Sequence, residues 1–434
     1  MASHYKKYIR IPPGESVDIR PILPIVHHPL FQRLLHVYQL STTFFVFPGA
    51  THTRFEHALG VYSKSKRLAA RLAEEGLLTA QEAWNVALFA LLHDIGHGPF
   101  SHLIEGLTPY DHDQNGERVI SELNEAIKGS GGDPKLIKQL FDRSNPLYRI
   151  VMDKNLGTDK LDYLERDIYH TGFGQHPDVE TIMDYLSYMK GELVIDKKNI
   201  EAAKQIQRLY LYMYKEVYLH KSSLISSRFL QKIIALWLSL RRIEPADLWS
   251  MTDAELISQL YTDTDPRLRF LYQCYRRRKL PSTGVVFRID RKQFKERVAG
   301  KKIKVIGEKA EFFKKMSEHS SPQELEHIEQ QVAKLLKVPA HTVLVVPTPA
   351  VWRFAPEDIA YNDDNNIYSL KDTQPEYFET LKEDLEEYLS VRVCVIGNRA
   401  LLYDSADKVH ALIKRIIASV TRKKRVSKNL SLAV

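Results

Sequence analysis

One stretch limits what this chain can become: Leu91-Leu92-His93-Asp94-Ile95-Gly96-His97-Gly98-Pro99-Phe100-Ser101-His102, at the end of an apolar helical run. His93 and Asp94 are neighbours, and both side chains ligate a hard or borderline divalent cation. Neutral imidazole supplies nitrogen; carboxylate supplies oxygen and a compensating charge. Neighbours on a helix diverge by about 100°, so both reach one ion only where the helix ends. Gly96, Gly98 and Pro99 end it there. Taken alone, the pair reads better as a helix terminus whose histidine caps the last carbonyls. Three histidines and an aspartate in ten residues favour a metal centre.

Composition restricts the setting. The 434 residues suffice for two or three domains. No run of eighteen apolar residues occurs and Met1–Arg10 has no apolar signal core, so a cytoplasmic chain with no membrane partner is expected. Cys274 and Cys394 stand alone, which excludes a disulfide framework or a thiolate zinc site. The net charge of +8 suits a polyanion, either nucleotide phosphate or nucleic acid.

The first forty residues are proline-rich and read as an extended lead-in with at most a short strand, with His27-His28 as a capping or surface pair before a helix at Pro29. Thr42–Phe47 is β-branched and aromatic, a strand pattern closed by Pro48-Gly49. Thr53-Arg54-Phe55-Glu56 has capping-box form and opens a helix to about Glu75. Thr79–Glu82 is a second capping box, opening the helix that delivers His93. Asp159, Asp162, Tyr163, Arg166 and Asp167 share one helix face, which is expected to look at solvent or a cleft because Leu161, Leu164 and Ile168 carry the apolar contacts. A hairpin-like piece at Glu192–Asp196 and one long helix from Ile200 to about Arg242 follow. Beyond Pro281, strands are predicted at Val285–Ile289, Ile303–Ile306, Thr342–Val346 and Val391–Ile396, with helices near Pro322–Leu336 and Pro375–Leu389. The predicted division is a lead-in (1–50), a helical core (51–245), a helical connector (246–281), an α+β region (282–420) and a solvated basic tail (421–434).

Four candidate ligands can be assembled from three helices: His57, His93, Asp94 and Asp159. Two imidazoles and two carboxylates suit Mg²⁺, Mn²⁺, Fe or Zn²⁺ and leave room for water and a phosphate oxygen. His97 and His102 are then free for proton transfer, with His112 able to line the same pocket, while Arg54 and Lys160 add positive charge for phosphates. Together these describe hydrolysis of a phosphate ester or anhydride.

These residues carry a resemblance. His57…His93-Asp94…Asp159 resembles the H…HD…D signature of HD-domain metal phosphohydrolases. The stretches Gln39-Leu40, Phe47-Pro48-Gly49-Ala50, His52–His57, His93–His102 and Asp159–Tyr163 are similar to the deoxynucleoside triphosphate triphosphohydrolase branch, over roughly residues 15 to 235. That branch includes enzymes with a SAM domain, for which no room is expected here. The implied fold is a mostly α-helical HD-domain core with a smaller C-terminal α+β region. The implied activity is metal-dependent cleavage of a dNTP to deoxynucleoside and inorganic triphosphate, with regulation by a nucleotide activator and assembly into dimers or tetramers.

By the same resemblance His57, His93, Asp94 and Asp159 match the metal ligands. Arg54, Lys160 and Tyr163 match residues that hold the triphosphate, and His97, His102 and His112 the active-site histidines, with His102 as acid for the departing 5′ oxygen. Gln39 and Asp167 match residues that bond the 3′-hydroxyl; Leu40 and Tyr218 match those that crowd the 2′ carbon, where a ribose hydroxyl would lose its bonds to water. The chain departs from the pattern at Tyr210, where a phosphate-binding arginine is expected, and at Glu105 in place of aspartate. His27 and Leu35 stand where a guanine-reading activator site has Asp and Arg. Two alternatives stay open: an HD phosphohydrolase acting on another nucleotide or a phosphodiester, and a protein that binds single-stranded nucleic acid around a vestigial site.

Overall fold

The computed structural model describes residues 7–289, 302–349 and 357–430, with 419–430 described by backbone alone. The chain divides into two compact units, one of residues 1–218, 243–258 and 356–381, the other of 219–242, 259–355 and 382–434. It is mostly helical, and its C-terminal part mixes sheet and helix.

The first unit is built on α1 (Arg54–Glu74), α2 (Ala80–Leu92) and α3 (Thr158–Thr171). The reciprocal Thr79–Glu82 capping box starts α2, and every residue from Val86 to Leu92 is buried. A helix apolar on all sides has to lie inside its unit. Each of its leucines, buried in full, stabilises the fold by about 1.5–3 kcal/mol. Helix α1 buries Phe55, Ala58, Leu59 and Tyr62, a 3.6-residue stripe, against α2.

Helix α3 departs from the expected charged surface. Asp162, Arg166 and Asp167 are buried, not solvated. The Asp162 side chain has no exposure; it accepts from Lys64 Nζ at 2.9 Å and from Arg166 Nε and Nη2 at 2.9 and 2.8 Å. Gly60 makes this approach possible, because a Cβ there would overlap the Arg166 guanidinium and the Asp162 carboxylate.

Other local expectations change for identifiable reasons. Thr53 caps α1 with no side-chain hydrogen bond, and the Glu56 carboxylate, which would complete a capping box, is bonded instead to His170 Nε2 at 2.7 Å and Arg166 Nη1 at 3.3 Å. Thr43–Phe45 is a 3₁₀ turn, not a strand. The proline-rich lead-in forms an antiparallel hairpin, Tyr8–Ile11 with Glu15–Asp18, and His28 caps the short helix Pro29–Arg33. The long helix is two, Ile200–Met213 and Lys221–Leu240, interrupted by a π turn over Tyr214–Tyr218. The expected hairpin, Leu186–Met189 with Glu192–Asp196, continues into a four-stranded sheet through parallel pairing of Glu192–Asp196 with Ala360–Asp363, itself paired with Asn366–Ser369.

The second unit holds a sheet ordered Lys304–Gly307, Ser282–Arg288, Ser390–Val395, Val343–Pro347, antiparallel except for its first pair. Helix Pro322–Leu336 packs on it and buries Glu329, which accepts from Arg228 and Lys232. The backbone of Ala406–Leu430 is helical, so most of the basic stretch continues a helix instead of ending in coil; residues 431–434 lie outside the described residues.

Arg166→Met should cost about 3–5 kcal/mol, because it removes a partner from a fully buried carboxylate. Urea denaturation measures it, and a loss below about 1 kcal/mol would show that Asp162 does not depend on the pair.

Candidate metal centre

The end of α2 and the first turns of α1 and α3 meet at one point. The ligand atoms of His57, His93 and Asp94 lie within 4.8 Å of one another, all in buried residues. Asp159 joins from α3: its Oδ1 is 3.0 Å from His57 Nε2 and 3.5 Å from His93 Nε2, and its side chain is 29% exposed, the open side of the group. Each imidazole is oriented from behind. His57 Nδ1 is bonded to Asp162 Oδ2 at 2.8 Å, and His93 Nδ1 to the Ala90 carbonyl at 2.8 Å. Both Nε2 atoms therefore turn toward the shared space.

Whether these groups fit a divalent cation is decided by what they lack. Among the described residues, His93 Nε2 is buried without a well-formed hydrogen bond, its nearest acceptors being Asp94 Oδ1 at 3.4 Å and Asp159 Oδ1 at 3.5 Å. A buried polar atom is ordinarily satisfied, and a cation in the shared space satisfies this one. Burial lowers the His57 pKa, but hydrogen bonds to Asp159 and Asp162 outweigh it and bring it up to about 9. Asp94 moves the other way: burial opposes its ionisation, and Arg54, His93 and His97 hold it well below the usual carboxylate range. A cation bound there would displace the proton from His57, since a histidine ligates a metal in its neutral form. His57, His93, Asp94 and Asp159 would hold it.

Residues 54–155 match the model of the HD domain, and residues 178–312 that of the HD associated region. The chain carries an HD domain. An uncharacterized protein of Methanocaldococcus jannaschii is 32% identical over 243 residues, 55% of this chain and 51% of that one. The deoxynucleoside triphosphate triphosphohydrolase SAMHD1 homolog of Dictyostelium discoideum is 30% identical over 282 residues, 57% of this chain and 53% of that protein. The chain spans about half the length of the curated relatives it matches. The crystal structure of a phosphohydrolase from Bacteroides thetaiotaomicron shares the fold, with a TM-score of 0.69 at 24% identity, over 90% of this chain and 100% of that one. HD domains are metal-dependent, and the nitrogen and oxygen donors here admit Mg²⁺, Mn²⁺, Fe or Zn²⁺.

Beside the metal group of the HD domain lies a second cluster: His97, His102, Glu105 and His112. The His97 and His112 rings stack at 4.1 Å, and Glu105 Oε1 lies 2.6 Å from His112 Nδ1 and 3.0 Å from His102 Nδ1. His97 and His112 differ in proton affinity. Burial, Arg54 and His112 hold His97 well below its ordinary value; for His112 burial also opposes the charge, but Glu105 outweighs it and raises the pKa.

The phosphate-binding candidates divide. Arg54 donates to Asp94 Oδ2 at 2.5 Å and to Ser101 Oγ at 2.9 Å. Lys160 Nζ sits 3.7 Å from the Tyr210 ring centroid, so the tyrosine that replaces the expected arginine serves as a cation-π seat. Burial lowers Lys160 to about 8 and lifts Tyr163 well above its ordinary value. Asp167 accepts from Tyr218 Oη at 2.5 Å and lies 2.8 Å from His52 Nε2. Among the described residues the buried Gln39 Oε1 has no hydrogen-bond partner, and Leu40 is half-buried beside it in sequence.

Sequence reasoning passed over several participants. His52, fully buried and stacked on His170 at 4.3 Å, was detectable as an extra histidine beside the His57 motif. Asp162 was named in a motif without a role. Arg33 and Asp253 carried no local signal; their partners lie 62 to 218 residues away.

His93→Ala should remove the bound divalent ion while leaving helix content unchanged. Metal analysis by plasma mass spectrometry, with circular dichroism, checks this; undiminished metal in the variant would contradict the ligand set.

Proposed function

We propose that the chain is a metal-dependent phosphohydrolase that cleaves deoxynucleoside triphosphates to deoxynucleoside and inorganic triphosphate. The observation that carries this reading is a buried group of candidate metal ligands, His57, His93 and Asp94, with a histidine cluster joined to it where His97 Nε2 lies 3.3 Å from Asp94 Oδ1. The name of the Dictyostelium relative supports the same substrate.

In this reading, water adds at the α-phosphorus, the bond to the 5′ oxygen breaks, that oxygen takes up a proton and triphosphate leaves. A divalent ion bound by His57, His93, Asp94 and Asp159 would polarise a phosphoryl oxygen and ready the water. Arg54 and Lys160 offset the triphosphate charge. His102, held at Nδ1 by Glu105, delivers a proton from Nε2 to the 5′ oxygen. His112, held by the same carboxylate, sits against His97 to take part in that transfer. Asp167 bonds the 3′-hydroxyl, its two oxygens already oriented by His52 and Tyr218. Leu40 and Tyr218 close the space beside the 2′ carbon, so that a 2′-hydroxyl would be buried unpaired. A nucleotide activator, a dimer or tetramer and a cytoplasmic setting belong to the same reading; no helix among the described residues is long and apolar enough to cross a membrane.

Anion-exchange analysis of products from each dNTP and NTP, with Mg²⁺ and with Mn²⁺, singly and mixed, tests the reading. Deoxynucleoside with intact triphosphate is expected, and a requirement for mixtures would reveal the activator. Stepwise phosphate release, or equal use of NTPs, would contradict it. Leu40→Gly should narrow the dNTP preference by about tenfold; an unchanged ratio would show that Leu40 does not guard the sugar.

A further inference from the structure

We propose that Asp253, a residue far outside the HD motif, is a positioning residue that fixes the loop carrying His97 and Ser101 and, through it, Arg54. The inference rests on the reading of the His57–His93–Asp94 group as the catalytic centre.

The geometry is a short chain of bonds. Asp253, 5% exposed, stands at the start of α4 (Asp253–Thr262), whose first turn is held by reciprocal Thr252–Glu255 bonds. Its Oδ1 accepts from Phe100 N at 2.6 Å and its Oδ2 from Tyr38 N at 2.9 Å. One carboxylate thus ties together two backbone segments that are neighbours neither to it nor to each other in sequence. Both segments belong to the candidate site. Tyr38 precedes Gln39-Leu40, and its carbonyl accepts from Ser101 Oγ at 2.7 Å. Ser101 Oγ in turn accepts from Arg54 Nε at 2.9 Å, and Arg54 Nη1 reaches Asp94. The peptide of Tyr38 is therefore held at its N–H by Asp253 and at its carbonyl by Ser101.

The loop needs such a hold. Phe100 and Ser101 are consecutive non-glycine residues in the left-handed region, with φ of 56° and 55°. That conformation costs of order 1–3 kcal/mol per residue and persists only where the surroundings impose it. Phe100 N, within this strained pair, is the group that Asp253 binds. Arg33 braces the same loop from the other side: its guanidinium donates to the carbonyls of His97 at 2.5 Å, Ile95 at 3.3 Å and Met251 at 3.2 Å. Met251 is two residues before Asp253, and Trp249, also buried, packs against Gly98. The segment Trp249–Asp253 thus backs the loop that follows the metal ligands. Burial pushes the Asp253 carboxyl up to about 7 against the pull of the two N–H groups, Arg33 and Arg54.

The test combines hydrogen exchange with kinetics on Asp253→Ala, Ser101→Ala and the double variant. Asp253→Asn serves if the alanine variant does not fold, since its amide keeps one acceptor and turns a donor on the other N–H. Exchange measured by mass spectrometry should quicken in residues 36–41 and 96–103 of the Asp253 variants and stay unchanged in α1 and α2. With Mn²⁺ and dNTP, kcat should fall about 10- to 100-fold while KM moves less than about twofold. The double variant should be no slower than the slower single, because both changes cut one chain of bonds. Unchanged exchange in both segments, a KM effect with intact kcat, multiplicative losses in the double variant, or quickened exchange throughout the unit would overturn the proposal. If the wild type turns over no nucleotide, the substrate reading fails on its own, and the exchange pattern alone decides the role of Asp253.

Discussion

Everything in the candidate centre depends on a carboxylate that water never reaches. Asp162 has no exposure, and its ionised form is held by Arg166, Lys64 and His57 far below the usual carboxylate range, against the penalty of burial. Such an arrangement adds little net stability compared with an apolar core, but it is intolerant of losing one partner. What it contributes is orientation. By accepting a hydrogen bond from His57 Nδ1, Asp162 turns Nε2 toward Asp94 and Asp159. Gly60 clears the space for this contact, and Arg166 carries it on to Pro12 O and Glu56. Helices α1 and α3, which carry the candidate ligands His57 and Asp159, are thereby locked to each other by charge, while the apolar face of α2 supplies the cohesion.

The same economy of shared groups runs through the rest of the centre. Asp94 faces His57, His93 and His97 and accepts from Arg54. Glu105 serves two histidines, and Asp167 serves His52 and Tyr218. Sharing spreads the proton affinities of neighbouring imidazoles: His57 and His112 are raised, and His97 is lowered. Chemically identical side chains are thus given different proton affinities by their neighbours.

The parts legible in the sequence were those whose signal is local. The His93-Asp94 pair before Gly96 and Gly98, the apolar run of α2 with its Thr79–Glu82 cap, and the β-branched runs after Pro281 each carry their instruction within about ten residues, and the structure has those elements. The charged face of α3 left solvent and a cleft both open, because polarity alone does not separate them; its partners Lys64 and Gly60 lie about a hundred residues upstream. Thr53 has capping form, yet Glu56 is engaged by His170, a long-range competitor that no local pattern contains. The extra residue accommodated in the π turn at Tyr214–Tyr218, where Tyr218 meets Asp167, left no mark in an otherwise regular helical period. Asp253 reads as the first residue of an ordinary capped helix, and only the fold reveals that its carboxylate closes on Tyr38 and Phe100.

The central claim is that one divalent ion is held where α1, α2 and α3 meet. An anomalous difference map from crystals grown with Mn²⁺, recorded at the manganese edge, tests it most directly. The account predicts one strong peak between His57 Nε2, His93 Nε2, Asp94 and Asp159. A map with no peak there, or with its only peak among His102, Glu105 and His112, would contradict it.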